Sequence, residues 1–396
     1  QKIIDEAAEL ETQITEFQRI IGDEKAQRDI VSTELAEVVS KYGDDRRSEI
    51  MLGYDGDVSL EDLIPEEEMV VTLTQGGYIK RTRSDNYRVQ HRGGRGVKGA
   101  SLRADDVVQN FIVSTTHHWL MFFTNTGRVY RSKVYEVQES GRDSKGQHVA
   151  NLLALQPEEY VVKVLDLKDY QQEPYLVMAT KNGLVKKTAL ELYDTARTGG
   201  IIAIKLREGD ELINAMLVSE ENDVLLVSRK GMSIRFSAAN DSMRPMGRDT
   251  SGVIGMAFRK GDELLSASVI GESGFVFVVT EGGYAKRTSA DQYRVQKRGG
   301  IGIKVAKLDE KRGDLVGALM VDETDEVLAV LSSGKVIRSS ANEVPAKGRD
   351  TMGVVFARFD QSDSVLSIAR NAERNLETND EPETEGAADD IAVQPE

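Results

Sequence analysis

Trp119-Leu120-Met121-Phe122-Phe123-Thr124, followed after a turn by Gly127-Arg128-Val129-Tyr130-Arg131-Ser132, is the stretch that decides the fold. An apolar run, a glycine-containing turn and a second run with basic residues near its end predict a β-hairpin. The same pattern occurs six times along the chain. The other copies pair residues 69–74 with 77–82, 175–180 with 183–187, 224–228 with 231–235, 275–280 with 283–287, and 327–331 with 334–338.

The glycines of the six turns are spaced 50, 56, 48, 52 and 51 residues apart. A period near fifty, with about four strands in each repeat, is typical of propeller blades and not of a helical solenoid. One repeat alone leaves an apolar face exposed, so neighbouring repeats must stack, and closing the array into a ring removes the strand edges at its ends. The sequence therefore predicts an all-β, propeller-like ring of six blades over residues 69–370.

The two ends of the chain differ from this body. Residues 1–42 predict a coiled-coil helix, because Ile3, Ala7, Leu10, Ile14, Phe17 and Ile21 form an a/d seam that needs a partner helix. That partner is either a helix upstream of Gln1 or a second copy of the chain. Residues 43–68 predict a linker, and the acidic residues 371–396 predict a disordered tail that either is merely solvated or competes with a polyanion for the body.

The net charge of −15 speaks at first against a nucleic-acid partner. Its distribution changes that interpretation: residues 1–68 carry −13, residues 371–396 carry −8, and residues 69–370 carry +6. A basic body between acidic ends is compatible with DNA binding. There is no cysteine, which excludes disulfides and thiolate metal sites and fits the reducing cytoplasm. No apolar stretch is long enough for a membrane span, and the start at Gln1 indicates a fragment of a longer protein.

Each repeat also carries a loop that is rich in glycine and basic residues, about 14 to 20 positions after its turn. The six loops are residues 92–96, 141–146, 197–200, 247–252, 298–302 and 348–353. Glycines let a backbone approach a phosphate closely, and arginine and lysine supply donors that neutralise it. One such loop could equally be a blade-connecting turn, whereas six at matching positions favour DNA binding.

The densest loop contains Gln90, His91, Arg92, Gly93, Gly94, Arg95 and Gly96. It resembles the seven-residue basic glycine box of DNA gyrase A subunits, and the resemblance covers essentially the whole chain. It implies a six-bladed β-pinwheel whose basic rim wraps duplex DNA with positive handedness, with the box in the first blade's loop clasping the last blade. His91 departs from the arginine that is usual there.

A second box-like loop contains Gln296, Lys297, Arg298, Gly299, Gly300, Ile301 and Gly302. It is similar to the fifth-blade loop of actinobacterial gyrases, except that Ile301 replaces a basic residue and weakens the expected grip on DNA. The repeated strands add basic residues that predict further phosphate contacts, provided that they share one rim. These are Lys80, Arg81, Lys98, Arg128, Arg131, Lys186, Lys187, Arg235, Lys286, Arg287, Lys335 and Arg338.

The resemblance also implies what this chain lacks. The nucleophilic tyrosine of the family lies before the coiled coil, so no catalytic residue is expected here, and Tyr78, Tyr130 and Tyr284 should pack within the blades. No cofactor is expected in this fragment: ATP and Mg²⁺ belong to other domains, in an A2B2 heterotetramer with the gyrase B subunit. The four histidines are scattered without metal-ligand spacing. Two rivals stay open: the DNA-binding domain of a topoisomerase IV A subunit, and a propeller that scaffolds proteins.

Overall fold

The computed structural model describes residues 2–44, 60–87, 108–197, 199–271, 273–333, 335–359 and 363–371. The chain divides into two compact units, residues 1–59 and residues 60–396. The first box, Lys98, the predicted tail beyond Asn371 and most of the predicted linker lie outside the described residues.

The first unit contains two helices, α1 (Lys2–Gly22) and α2 (Glu24–Tyr42), where the sequence predicts one. The break falls at Gly22-Asp23, because glycine weakens a helix and aspartate is a good N-cap. The Asp23 carboxylate accepts a hydrogen bond from the Lys25 amide at 2.9 Å. The apolar seam of α1 is exposed, with Phe17 at 60% of its surface. Neither helix, nor any other among the described residues, is long and apolar enough to span a membrane.

The second unit consists of β-strands joined by turns and short 3-10 segments. The strands are β1 Glu68–Thr74, β2 Tyr78–Arg83, β3 Val108–Thr115, β4 Trp119–Thr124, β5 Arg128–Lys133, β6 Gln147–His148, β7 Val161–Leu167, β8 Tyr175–Thr180, β9 Leu184–Ala189, β10 Ile201–Ile202, β11 Leu212–Val218, β12 Asp223–Ser228, β13 Met232–Ser237, β14 Val253–Ile254, β15 Leu264–Ile270, β16 Phe275–Thr280, β17 Tyr284–Ser289, β18 Ile303–Lys304, β19 Leu315–Val321, β20 Glu326–Leu331, β21 Val336–Ser340, β22 Val354–Val355 and β23 Val365–Asn371.

These strands form six antiparallel sheets, which confirms the predicted six-bladed, propeller-like fold. The strand orders are β3-β1-β2-β6, β10-β5-β4-β7, β11-β8-β9-β14, β15-β12-β13-β18, β19-β16-β17-β22 and, for the sixth sheet, β21-β20-β23. The two-residue outermost strand of each four-stranded sheet comes from the next repeat along the chain. Consecutive repeats are therefore joined by strand exchange as well as by stacking.

Apolar side chains fill the interfaces between consecutive sheets. Five clusters cover the five successive interfaces; one of them joins Phe122 of sheet two to Val71 of sheet one, and another joins Phe277 of sheet five to Val327 of sheet six. The middle strands β4, β8, β12 and β16 are buried on both faces for this reason. A strand that is covered on both faces has a continuous run of apolar residues in its sequence, as these four strands do.

The strands β3, β7, β11, β15, β19 and β23 contact one another in succession at the centre of the array. One position of these inner strands links neighbouring sheets by hydrogen bonds. Asn214 donates to the Ala267 carbonyl at 2.6 Å, and Ser266 donates to the Ala318 carbonyl at 2.8 Å. The outermost strand of each sheet consequently lies at the perimeter.

Candidate nucleic-acid interface

We define the outer edge of a sheet as its two-residue outermost strand, the glycine-rich loop before that strand and the five residues after it. The edge is built from one repeat and seated on the sheet of the preceding repeat. β18, for example, pairs with β13 through Met232 opposite Lys304 and Ser233 opposite Ile303. The last glycine of each described loop adopts positive φ, +80° at Gly302, where an added Cβ would overlap the Ser233 carbonyl. Glycine is needed there because the loop backbone lies directly on its receiving strand.

The second box is the outer edge of sheet four. Arg298 donates from Nε to the Ser242 carbonyl at 3.0 Å and from Nη1 to the Ile254 carbonyl at 3.2 Å, and the residue stays exposed. Lys297 is exposed, and Ile301 is exposed over 39% of its surface. Arg298 is therefore held at the perimeter by backbone carbonyls, which do not neutralise its charge.

The same contact recurs between consecutive outer edges. In each case the Nη1 of a loop arginine donates, at 3.2 Å, to the carbonyl of the last residue in the preceding outermost strand. The pairs are Arg248 with Ile202, Arg298 with Ile254, and Arg349 with Lys304. These arginines join the outer edges of sheets two to five into one band.

Five predicted phosphate contacts are instead buried, which corrects the sequence prediction. Their exposed fractions are 4% for Lys80, 0% for Lys186 and Lys187, 2% for Lys286 and 8% for Arg287. Lys186 donates from Nζ to the carbonyls of Ala203, at 2.7 Å, and Arg248. A side chain without access to solvent cannot reach a phosphate.

The cause of this burial is the stacking of the sheets, which covers both faces of each hairpin. Burial lowers the pKa of Lys186 to about 7 and that of Lys286 to about 8. Such groups need internal hydrogen-bond acceptors, because an unsatisfied buried donor costs about 1–3 kcal/mol.

Three further predicted contacts are mostly buried and paired with carboxylates. Arg81 lies 3.4 Å from Glu139, Arg131 lies 2.9 Å from Asp194, and Arg235 lies 2.7 Å from Asp223. Their charges are compensated within the protein, so the structure gives these arginines a cohesive role where the sequence predicted phosphate contacts.

The remaining predicted strand cations keep solvent access. Arg128 is partly exposed and donates to the carbonyls of Gly199 and Gly200 at 3.0 and 3.1 Å. Lys335 is exposed, and Arg338 is 55% exposed while paired with Glu326.

The structure also shows cations that the sequence analysis missed. Lys205, Lys307 and Arg358 each follow the last residue of an outermost strand by three positions, and Arg207 and Arg259 follow one by five. All five are exposed. Aligning the repeats beyond the glycine-rich loops would have revealed them, since they recur at fixed offsets. They add positive charge to the outer edges of sheets two to five.

The tyrosines and histidines of the body make internal contacts. Tyr130 is buried, and its hydroxyl donates to Glu159 at 2.9 Å. Lys145 lies over the ring of Tyr78, 3.5 Å from its centroid. His118 Nδ1 lies 2.9 Å from Asp166. Within the described ranges, no three His, Asp or Glu side chains are arranged to hold a metal ion.

These features define a class: a six-bladed, propeller-like protein whose blades exchange their outermost strands and whose perimeter carries exposed cations. The family model that matches it is described as the DNA gyrase C-terminal domain, beta-propeller, and it matches residues 68–115, 118–168, 174–219, 222–270, 274–322 and 325–371. The chain belongs to this family.

Similar proteins agree with this assignment. The DNA gyrase A subunit of Streptomyces coelicolor is 57% identical over 397 residues, which cover 99% of this chain and 46% of that protein. The DNA gyrase A subunit of Mycobacterium tuberculosis, strain H37Rv, is 52% identical over 379 residues, which cover 96% of this chain and 45% of that protein. The chain thus spans less than half the length of these relatives.

Solved structures agree as well. The structure of a DNA gyrase A C-terminal domain superposes with a TM-score of 0.61 at 30% identity, covering 77% of this chain and 99% of that one. The C-terminal domain of a DNA topoisomerase IV superposes with a TM-score of 0.67 at 23% identity, covering 78% of this chain and 94% of that one. The second likeness shows the shared fold alone.

Proposed function

We propose that this chain binds duplex DNA along its outer edges and wraps it with positive handedness, as the wrapping part of a DNA gyrase A subunit. The observation that carries the proposal is the band of outer edges: exposed cations recur on successive sheets, and loop arginines join the edges. Family membership supports it. In the assembled enzyme the wrap presents DNA for negative supercoiling. The gyrase B subunit, in an A2B2 heterotetramer, hydrolyses ATP, and strand cleavage takes place outside this chain.

The chemistry of the outer edges suits the DNA backbone and not its sequence. The exposed groups are lysines and arginines on loops and two-residue strands, with no recognition helix or base-reading strand among the described residues. Such contacts position DNA by its phosphates, and specificity then comes from how easily a sequence bends.

Wrapping requires several sheets to act together. Bending 20–30 base pairs by 40–90° costs on the order of 1–6 kcal/mol. One loop cannot offset that cost over a long path, whereas outer edges on successive sheets place contacts at intervals along it. The proposal therefore needs the outer edges to form one continuous track.

Sheet six offers a place for the first box. Among the described residues this sheet has three strands, and its edge strand β21 is exposed where equivalent strands are covered: Val336 is 45% exposed, against 0% for Ile79 and Val185. We propose that the first box, residues 90–96, which lies outside the described residues, clasps this last blade, as the resemblance to gyrase A subunits implies. The box would then close the DNA path between the first and last blades.

Relaxing a plasmid in the presence of the chain tests the proposal. A positively wrapped segment is compensated by negative supercoils elsewhere in the circle, and a type I topoisomerase relaxes those. The plasmid should therefore be positively supercoiled after the protein is removed. An unshifted distribution, at concentrations where a filter-binding assay shows bound DNA, would exclude chiral wrapping and favour the topoisomerase IV rival.

Neutralising outer-edge cations should lower the salt dependence of DNA binding. Replacing Lys205 and Lys307 by alanine should reduce the slope of log affinity against log salt by up to roughly 1.8, about 0.9 for each phosphate that is no longer neutralised. Affinity titrations between 50 and 200 mM salt on ~30-base-pair duplexes would measure the slope.

The matched control replaces two exposed lysines that belong to no outer edge, Lys41 of α2 and Lys168 after β7. Its slope should equal that of the parent chain. Equal slopes for both double variants would show that phosphates bind elsewhere, and a flat response in the parent chain would favour the protein-scaffold rival.

A further inference from the structure

The buried cations of the repeats alternate with apolar residues at one structural position. The residue three positions after the turn glycine lies, in sheets one to five, beneath the outer edge that the next repeat places on the sheet. Around the six sheets this residue is, in order, Lys80, Tyr130, Lys186, Ile234, Lys286 and Ile337. We call it the receiver residue. Lysine thus occupies sheets one, three and five, and an aromatic or aliphatic side chain occupies the others.

The loops that dock on these receivers alternate in step. Lysine receives a loop of the form Gly-Arg-Asp-Ser/Thr-x-Gly, at residues 141–146, 247–252 and 348–353. An apolar receiver lies beneath a loop with adjacent glycines, at residues 199–200 on Tyr130 and residues 299–300 on Ile234. The two loop types are named here the Asp-Ser/Thr loop and the Gly-Gly loop.

The lysine receivers hold the Asp-Ser/Thr loops by backbone carbonyls. Lys80 donates to the carbonyls of Arg142 and, at 2.8 Å, Ser144. Lys286 donates to the carbonyls of Gly348, at 2.8 Å, and Arg349. Each contact includes the carbonyl of the loop arginine, so the lysine fixes the residue that carries charge to the perimeter.

The hydroxyl of the Asp-Ser/Thr loop shapes the loop for this contact. Thr250 Oγ1 donates to the Gly247 carbonyl at 2.9 Å, and Thr351 Oγ1 donates to the Gly348 carbonyl at 2.8 Å. Short side-chain-to-backbone bonds of this kind fix a turn locally. The Ser or Thr and the buried lysine are therefore two parts of one arrangement.

Glycines of the Gly-Gly loops lie against the apolar receivers. A Cβ on Gly200, the last glycine before β10, would lie 2.5 Å from the Tyr130 ring, and a Cβ on Gly300 would be in ordinary van der Waals contact with Ile234 Cδ1, at 3.7 Å. Gly299 has φ of +85°, in the left-handed region that favours glycine. In two loops of equal length, Gly299 and Gly300 stand where the Asp-Ser/Thr loop at 247–252 has Asp249 and Thr250.

We propose that the receiver residues are positioning residues that recognise the loop type of the next repeat, so that receiver and loop together set the order of the blades and fix the loop arginines for DNA. The inference rests on the proposed function only in its last clause. A loop docked one sheet out of register would place a lysine under a Gly-Gly loop or an apolar side chain under an Asp-Ser/Thr loop. The first mismatch buries lysine donors without their acceptors, and the second removes the donor that the loop carbonyls face.

A receiver-and-loop exchange in the full chain tests the pairing. Lys186→Ile places an apolar side chain under an Asp-Ser/Thr loop. Asp249→Gly, Thr250→Gly and Ser251→Ile together convert the loop to the Gly-Gly type and leave it over a lysine. The combined variant has both changes and the same net charge as the parent, because one lysine and one aspartate are lost. Thermal unfolding and amide hydrogen exchange of residues 246–254 are measured for all four proteins.

Each mismatched variant should lower Tm and speed exchange in the loop at least tenfold, and the combined variant should recover most of both losses. If the losses of Tm and of exchange protection simply add in the combined variant, the pairing of receiver and loop is refuted. Should Lys186→Ile fail to fold, recovery of soluble, cooperatively unfolding protein in the combined variant is the expected result, and its absence would be the refutation.

The plasmid-relaxation assay on the same four proteins separates this inference from the proposed function. Mismatched variants should lose topoisomer shift and the combined variant should regain it, since Arg248 is retained. If the combined variant recovers stability but the parent chain gives no topoisomer shift, the pairing of receiver and loop stands and the DNA-wrapping function is refuted. If the combined variant recovers stability and all four proteins give the same topoisomer shift, Lys186 does not position the loop for DNA.

Discussion

Replacing Arg92 and Arg95 together by alanine is expected to abolish the topoisomer shift produced by this chain, while DNA affinity falls only severalfold. The reason is the place inferred for the first box, at the edge of sheet six, where it closes the DNA path. The other outer edges keep their cations, so DNA still binds but is not held in a closed wrap. Plasmid relaxation and affinity measured on the same protein preparation would report both quantities.

The matched variant replaces Lys297 and Arg298 by alanine in the second box. Arg298 reaches the carbonyls of Ser242 and Ile254, so its loss loosens one junction in the middle of the band and leaves the ends of the path unchanged. A partial loss of topoisomer shift is expected. Equal losses from the two double variants would refute the asymmetry, and a full shift from the first-box variant would refute the closing role of the box.

The repeats and their hairpins could be predicted closely from the sequence. The predicted runs at residues 119–124, 175–180 and 275–280 match β4, β8 and β16 residue for residue. Continuous apolar runs and turn glycines with positive φ follow from local backbone geometry, so both can be recognised in the sequence. The outermost strands left no such signal, because two residues are too few to show alternation. Their exchange between repeats emerged only from the structure.

The phosphate contacts could be predicted less well, and Lys186-Lys187 shows why. Both lysines were predicted to contact DNA, yet adjacent residues of a strand point to opposite faces, so each could reach solvent only if its own face was open. Both faces are covered: Lys187 donates to the Ala238 carbonyl and, at 2.8 Å, to Asn240, while Lys186 faces the next repeat's loop. Composition cannot distinguish a lysine that attracts phosphate from one that satisfies buried carbonyls.

The alternating receivers also explain why six repeats of similar pattern can specify one arrangement. Repeats of similar sequence are prone to pairing errors between units, since neighbouring edges resemble one another. An alternation with a period of two sheets distinguishes each sheet from both of its neighbours. Ile337 continues the alternation into sheet six, for which the receiver proposal predicts a Gly-Gly loop, and the sequence of the first box has adjacent glycines at residues 93–94.

Substituting Gly317 by valine is expected to destabilise the fold by about 1–3 kcal/mol, the usual cost of overpacking a filled interface. Gly317 lies on β19 at the inner-strand position where sheet four has Ser266, and a Cβ built on it would overlap Cγ1 of Ile368 on β23. Sheets five and six therefore approach each other through a glycine where other sheets are joined by a polar side chain. Differential scanning calorimetry of the full chain would measure the loss.

Two further variants show whether the contact with Ile368 is the cause. In an Ile368→Ala background the valine enters vacated space, so its cost should fall to near zero or become a gain. Gly271→Ala, at an exposed glycine with no neighbouring atom closer than 3.9 Å, should change stability by less than about 0.5 kcal/mol. An unchanged cost of Gly317→Val in the Ile368→Ala background would place the strain elsewhere and would show that the approach of sheets five and six does not depend on this glycine.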